Sequence, residues 1–138
     1  MNKLDLRNLY HDYIACLNRQ DWLMLKRFVD DDVEHNGKRL GVSGYRTMLE
    51  KNFADIPDLH FNIELLVVEL PHVASRLRFV CTPRARFLDL DVNGVTVSFA
   101  ENAFYEFHNG KIKRVWSVID KAAIEAQLSA TATRHESR

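Results

Sequence analysis

The chain has 138 residues, of which 46% are hydrophobic and 28% charged, and its 19 lysines plus arginines balance 19 aspartates plus glutamates. That length makes one domain with a real core and leaves no room for two. Zero net charge provides no field for nucleic acid or an anionic membrane, so the expected partner is a small molecule or a second copy of the chain.

In chain order, Leu6, Leu9, Tyr10, Tyr13, Ile14 and Leu17 fall at helical spacing, which predicts an amphipathic helix from Lys3 to Arg19 that covers a sheet. Asp21 can cap a short second helix, Trp22 to Val29, and the acid run Asp30, Asp31, Asp32 then marks a solvated end. Val33 to Gly44 contains His35, Asn36, Gly37, Gly41 and Gly44, too many breakers for a long element, and reads as a short strand and a loop. Ser43 can cap a third helix through Phe53, with Tyr45, Met48, Leu49 and Phe53 on one face, and Pro57 stops its continuation. Phe61 to Leu70, Val73 to Thr82 and Arg86 to Val92 are strand-like runs separated by turn residues, with Arg76 and Arg78 on a charged face of the second.

The segment VSFAENAFYEFHNGKIKRVWSVID, from Val97 to Asp120, predicts a hairpin about Asn109-Gly110, because both loop residues must take positive φ. A two-residue loop opposes Phe99 to Asp120, Glu101 to Val118, Ala103 to Trp116 and Tyr105 to Arg114. Period-two alternation then puts Glu101 and Asp120 on one face with Trp116, Phe99 and Tyr105. Two neighbouring acids beside aromatic rings would have raised pKa values, so Asp120 and Glu101 are candidate acid/base groups and Trp116, Phe99 and Tyr105 a pocket wall. Each has a plainer role. Asp120 directly precedes the helical run Lys121 to Leu128 and suits its N-cap, Glu101 could pair with Arg114, and aromatics at strand period pack cores.

Cys16 and Cys81 lack CxxC spacing and read as reduced core residues. His35 titrates near neutrality and could orient a ligand, or be a satisfied strand-end residue. The remaining histidines have no ligand-like spacing, so no metal is expected, and neither nucleophile elbows nor phosphate-binding or dinucleotide fingerprints occur. No apolar stretch approaches the roughly 20 residues that span a bilayer. The start, MNKLDLRNLY, has no signal-peptide core, so a cytoplasmic address is expected. Helices followed by antiparallel strands predict an α+β fold over residues 1–128, with a polar tail, 129–138, expected to be disordered.

Three segments, FVDDDVEHNGKRLGVSGYRTMLEKNFADIPDLHFNIELLVVE, VASRLRFVCT and GKIKRVWSVIDKAAIEAQL, resemble the SnoaL-like polyketide cyclases of the nuclear transport factor 2-like superfamily, over about residues 8 to 128. The resemblance implies a cone of curved antiparallel sheet against N-terminal helices, with an internal pocket and usually a homodimer. It implies a cofactor-free aldol-type ring closure, with Asp120 as general acid/base and His35, followed by Asn36, hydrogen-bonding the substrate. Where that family carries a Thr-His-x-Gly stretch, this chain has Thr82-Pro83-Arg84-Ala85-Arg86, so the resemblance implies Arg84 or Arg86 near the second histidine's place, which would favour an anionic ligand if either points inward. A ketosteroid-isomerase-like proton transfer needs the same parts, and a non-catalytic binding or dimerisation module is the rival reading.

Overall fold

The computed structural model describes residues 1–136. Helix α1, Lys3–Asn18, starts at a capping box: the Asn2 side chain accepts from the Asp5 amide at 2.8 Å while Asp5 accepts from the Asn2 amide at 3.0 Å. A 3-10 helix, Trp22–Arg27, follows, without the side-chain cap expected from Asp21. Strand β1, Val29–His35, and the two-residue β2, Lys38–Arg39, form a hairpin across Asn36-Gly37 and lead into α2, Gly41–Asp55. That helix starts two residues before Ser43 and has no side-chain cap. The acid run lies within β1, with Asp30 paired to Lys113 at 3.5 Å and Asp32 bonded to Arg39.

Strands β3 (Asn62–Glu69) and β4 (His72–Cys81) occupy the predicted runs. Arg86 to Val92 does not form a full strand. It makes a small separate hairpin of β5, Arg86–Phe87, and β6, Leu90–Asp91, turned by Leu88 and Asp89 with φ of 52° and 62°. Leu88, unlike Asp89, does not suit that left-handed region, where such a side chain costs roughly 1–2 kcal/mol. Strand β7, Val97–His108, and β8, Lys111–Ile119, follow, and then α3, Lys121–Glu136. The helix runs beyond Leu128, where disorder was expected, because Ser129-Ala-Thr-Ala-Thr contains no breaker; residues 137 and 138 lie outside the described residues.

The main sheet has the order β2-β1-β8-β7-β4-β3 and is antiparallel except where β1 runs parallel to β8. It is curved and unclosed, with helices packed against it. Asn109 and Gly110 form the predicted turn, with φ of 51° and 74°, and His108–Lys111 and Phe107–Ile112 are paired as expected. A β-bulge then intervenes. Glu106 pairs with Arg114, Tyr105 with Val115, Ala103 with Ser117 and Glu101 with Ile119, which leaves Lys113 without a partner in the ladder. One extra residue inverts the facing of everything after it. The expected shared face of Glu101, Phe99 and Tyr105 with Trp116 and Asp120 is therefore corrected: Trp116 and Val118 lie opposite Phe104 and Asn102, on the other face of the sheet.

The inner face carries Val73, Leu77 and Phe79 of β4 and Phe99, Ala103 and Tyr105 of β7, all buried under Leu6, Tyr10, Tyr13 and Leu17 of α1 and Tyr45, Leu49 and Phe53 of α2. Both cysteines are buried and free, as the sequence suggested. No helix among the described residues is long and apolar enough to cross a membrane.

Candidate functional site

Between the inner face of the sheet and the two long helices lies a cavity of about 410 Å³. Its size is that of a small-molecule site, and apolar walls carry a few convergent polar groups. Those groups come from every layer: Tyr13 from α1, Tyr45 and Asn52 from α2, His35 and Asn36 from the end of β1, Glu101 and Tyr105 from β7, and Ser117 from β8.

Glu101 is the only carboxylate on this wall among the described residues. Its strand neighbours are Leu77 on one side and Ile119 on the other, so alternation along β7 drives the side chain inward between apolar residues. It has no hydrogen-bond or ion-pair partner among the described residues, and the expected contact with Arg114 does not form: that guanidinium binds Glu34 at 2.8 Å, and also Glu106, on the outer face. Burial alone pushes the Glu101 carboxyl from an ordinary 4.5 up to about 7. A carboxyl at that position holds and releases a proton at neutral pH.

The hydroxyls of Tyr13 and Tyr45 lie 2.6 Å apart, and both residues are almost fully buried. Burial, followed by their mutual interaction for Tyr13, holds both phenols well above their usual range, so they are protonated donors. One hydroxyl must donate to the other, which leaves the acceptor's own proton free to point at a cavity oxygen. Sequence reading places these tyrosines only on the apolar faces of their helices. The signal for more was their chemistry: two phenols where phenylalanine would pack as well.

At the other end of the wall, the His35 ring Nε2 and Ser117 Oγ are 3.1 Å apart. Burial lowers the His35 pKa, which keeps the ring neutral and able to donate from one nitrogen while accepting on the other. Asn36 locks this corner. Its side chain accepts from the Ser117 amide at 2.8 Å and donates to the Ser117 carbonyl at 3.2 Å, and its φ of 49° turns the chain away into Gly37. Asn52, Ser117 and Lys121, which also line the cavity, have no sequence signature of their own.

The structure thus brings His35, Asn36, Glu101 and Tyr105 into one cavity. Phe99 is buried beside it, in a smaller slot of about 50 Å³ that it shares with Phe61, Phe79 and Phe87, and Glu101 borders both spaces. Trp116 is instead 41% exposed on the outer face. Arg86 is exposed on β5, where it donates to the Asp89 carbonyl at 2.9 Å and lies 3.7 Å from the Asp91 carboxylate. Asp120 is exposed and accepts from the Ala123 amide at 3.1 Å, the N-cap bond its position before α3 suggested.

The family model for SnoaL-like polyketide cyclases matches residues 7–128. A SnoaL-like polyketide cyclase from Agrobacterium tumefaciens is 54% identical, with 93% of this chain and 99% of that one covered and a TM-score of 0.89. TsrD from Streptomyces laurentii (20% identity, 94% and 98% covered, TM-score 0.80) has the same fold. So does AclR from Streptomyces galilaeus (21% identity, 94% and 98% covered, TM-score 0.74). None of the curated proteins matches the chain.

Proposed function

We propose, from the premise that this chain belongs to the SnoaL-like polyketide cyclase family, that it is an acid/base enzyme for a small, largely apolar carbonyl compound, with Glu101 as the proton-exchanging group. One observation carries the reading: among the described residues, a single unpaired carboxylate, set between Leu77 and Ile119, borders a cavity that also holds a phenol donor pair. In carboxylate form Glu101 takes a proton from the carbon next to the substrate carbonyl, and the electron pair of the broken C–H bond moves into the enolate. The free hydroxyl of the Tyr13–Tyr45 pair donates to the enolate oxygen, and His35 with Ser117 orients the far end of the substrate.

Two outcomes balance. In an aldol-type cyclisation, the enolate carbon attacks a second carbonyl of the same molecule and the new alkoxide recovers the proton from Glu101. In an isomerisation, the proton returns to a different carbon. Neither needs an oxidant, a reductant or a cofactor, and both belong to a protein acting in the cytoplasm. Asp120, which the family resemblance nominates as the acid, is the weaker candidate on geometry, since it is exposed and already engaged as a helix cap. The test is solvent-deuterium incorporation next to the carbonyl of β-tetralone, in the parent and in Glu101→Gln and Asp120→Asn. Equal incorporation above the uncatalysed rate in all three proteins overturns both carboxylates as the base, and none above that rate in the parent leaves a binding module.

The same reading includes a homodimer through the outer face of the sheet. Val67, Ala74, Phe104 and Trp116 are successive partners across four strands, and Val67, Phe104 and Trp116 are 52%, 55% and 41% exposed. A contiguous apolar row of this kind on a sheet face favours burial against an equal surface. Trp116→Lys is expected to convert a sedimenting dimer into a monomer; a parent that already sediments as a monomer sinks the dimer.

A further inference from the structure

The β5–β6 hairpin contains a local contradiction that the rest of the fold holds in place. Its turn residues, Leu88 and Asp89, both have positive φ, 52° and 62°, where the left-handed turns at 36–37, 93–94 and 109–110 use Asn-Gly. Leucine has neither glycine's freedom nor the short polar side chain that lets asparagine tolerate this region. The conformation persists because the hairpin is anchored at its base. Arg84 donates to the Asp55 carbonyl at 3.0 Å, Asn93 to the Ala85 carbonyl at 2.9 Å, and Gly94 to the Pro83 carbonyl at 2.8 Å. Arg86 reaches around to the Asp89 carbonyl at 2.9 Å.

What the strained turn delivers is the position of two side chains. Leu88 lines the 410 Å³ cavity, where the described wall residues otherwise come from the helices and the main sheet apart from Asn36 in the β1–β2 turn and Phe61 in the connection before β3. Phe87, next to it, lines the 50 Å³ slot with its ring 5.6 Å from that of Phe99. Glu101 borders both spaces, so the hairpin covers the region into which the carboxylate projects.

We propose that Leu88, with Phe87 beside it, is a specificity-determining roof: the strained turn holds an apolar side chain over the cavity and selects ligands that present a flat apolar ring to it. The slot has room only for a short branch such as a methyl or ethyl group, so the ligand class is a ring carbonyl compound with at most a small alkyl substituent on that side. A charged group there would enter a slot walled mostly by Ile56, Leu59, Phe79, Phe87 and Phe99, with only Asn52 and Glu101 at its border to bond. The inference rests on this cavity being the ligand site, as in the proposed function, and not on Glu101 acting as a base.

The experiment uses β-naphthol as the probe, with affinity read by its fluorescence and stability by thermal denaturation. Leu88→Asn places a residue that tolerates positive φ in the turn and removes the apolar contact. It is expected to raise Tm while weakening β-naphthol binding roughly tenfold, the scale of a lost buried leucine contact. Leu88→Ala removes the side chain but keeps a residue unsuited to the turn, and it loses affinity without the gain in Tm. Both variants binding β-naphthol as the parent does would overturn the proposal. So would no binding by the parent, or a fall in both Tm and affinity in Leu88→Asn, which would make Leu88 an ordinary packing residue. Glu101→Gln run alongside separates the two readings: if it binds β-naphthol and the Leu88 variants do not, the roof stands even where no proton exchange is found.

Discussion

Exchange of Glu101 for Gln is expected to lower deuterium incorporation into a bound ketone by about 10²–10⁴-fold, the usual contribution of a positioned general base, and to make the protein more stable at neutral pH. The two effects have one cause. The cavity holds the carboxyl in an apolar setting that raises its pKa to about 7 from an ordinary 4.5, so the folded protein binds this proton more tightly than the unfolded chain does. Stability from this group is therefore full below the unfolded value, falls as pH rises from there, and levels off above about pH 7. The fall amounts to at most about 3 kcal/mol, less where cavity water reaches the carboxylate. Glu101→Gln removes the ionisation, so its thermal stability is nearly flat over that window and exceeds the parent's at the upper end. Catalysis in the parent runs the other way, rising with pH through a midpoint near 7 as the base form appears. Asp120→Asn retains both stability and exchange, because Asn caps a helix as well as Asp does. If Asp120→Asn abolished exchange while Glu101→Gln spared it, the base would be Asp120.

Tyr13→Phe and Tyr45→Phe come next in size. Loss of one preorganised donor to a developing oxyanion costs about 10²–10³ in kcat, and either substitution breaks the 2.6 Å bond that fixes which hydroxyl faces the cavity. The expected signature is a fall in kcat with KM little changed, since the enolate forms only after binding. A ligand series distinguishes this from simple loss of packing. The parent binds para-nitrophenol as its phenolate, visible by absorbance, and each Phe variant loses that species while keeping nitrobenzene. Equal loss of both ligands would make the tyrosines structural.

The element order and the hairpin about Asn109-Gly110 were legible because they rest on strong local signals, helical spacing and a turn that only a few residues can make. Glu101 was legible from period-two alternation along its strand, and His35 with Asn36 from the family resemblance, and the structure brings all three to the cavity. The bulge was not. Lys113 and Arg114 both suit an exposed strand position, so nothing in KIKRVW reveals that one of them is skipped in the ladder. Trp116 and Asp120 were misplaced for that reason alone. Arg86 to Val92 misled differently: Phe87, Leu88, Leu90 and Val92 make the run read as a strand, and the turn falls partly on Leu88, whose own preference opposes it.

The skipped residue at 113 also links two properties that look independent. Facing along a strand is a parity, and one unpaired position inverts it for every residue downstream. A relative without the insertion would turn the equivalents of Trp116 and Val118 inward and expel those of Val115, Ser117 and Ile119. It would bring the last strand's acid toward the ligand and lose the aromatic from its outer surface in the same step. In this architecture, which strand presents a carboxyl to the cavity and what the outer surface offers a neighbour are inherited together, through insertion or deletion of one residue.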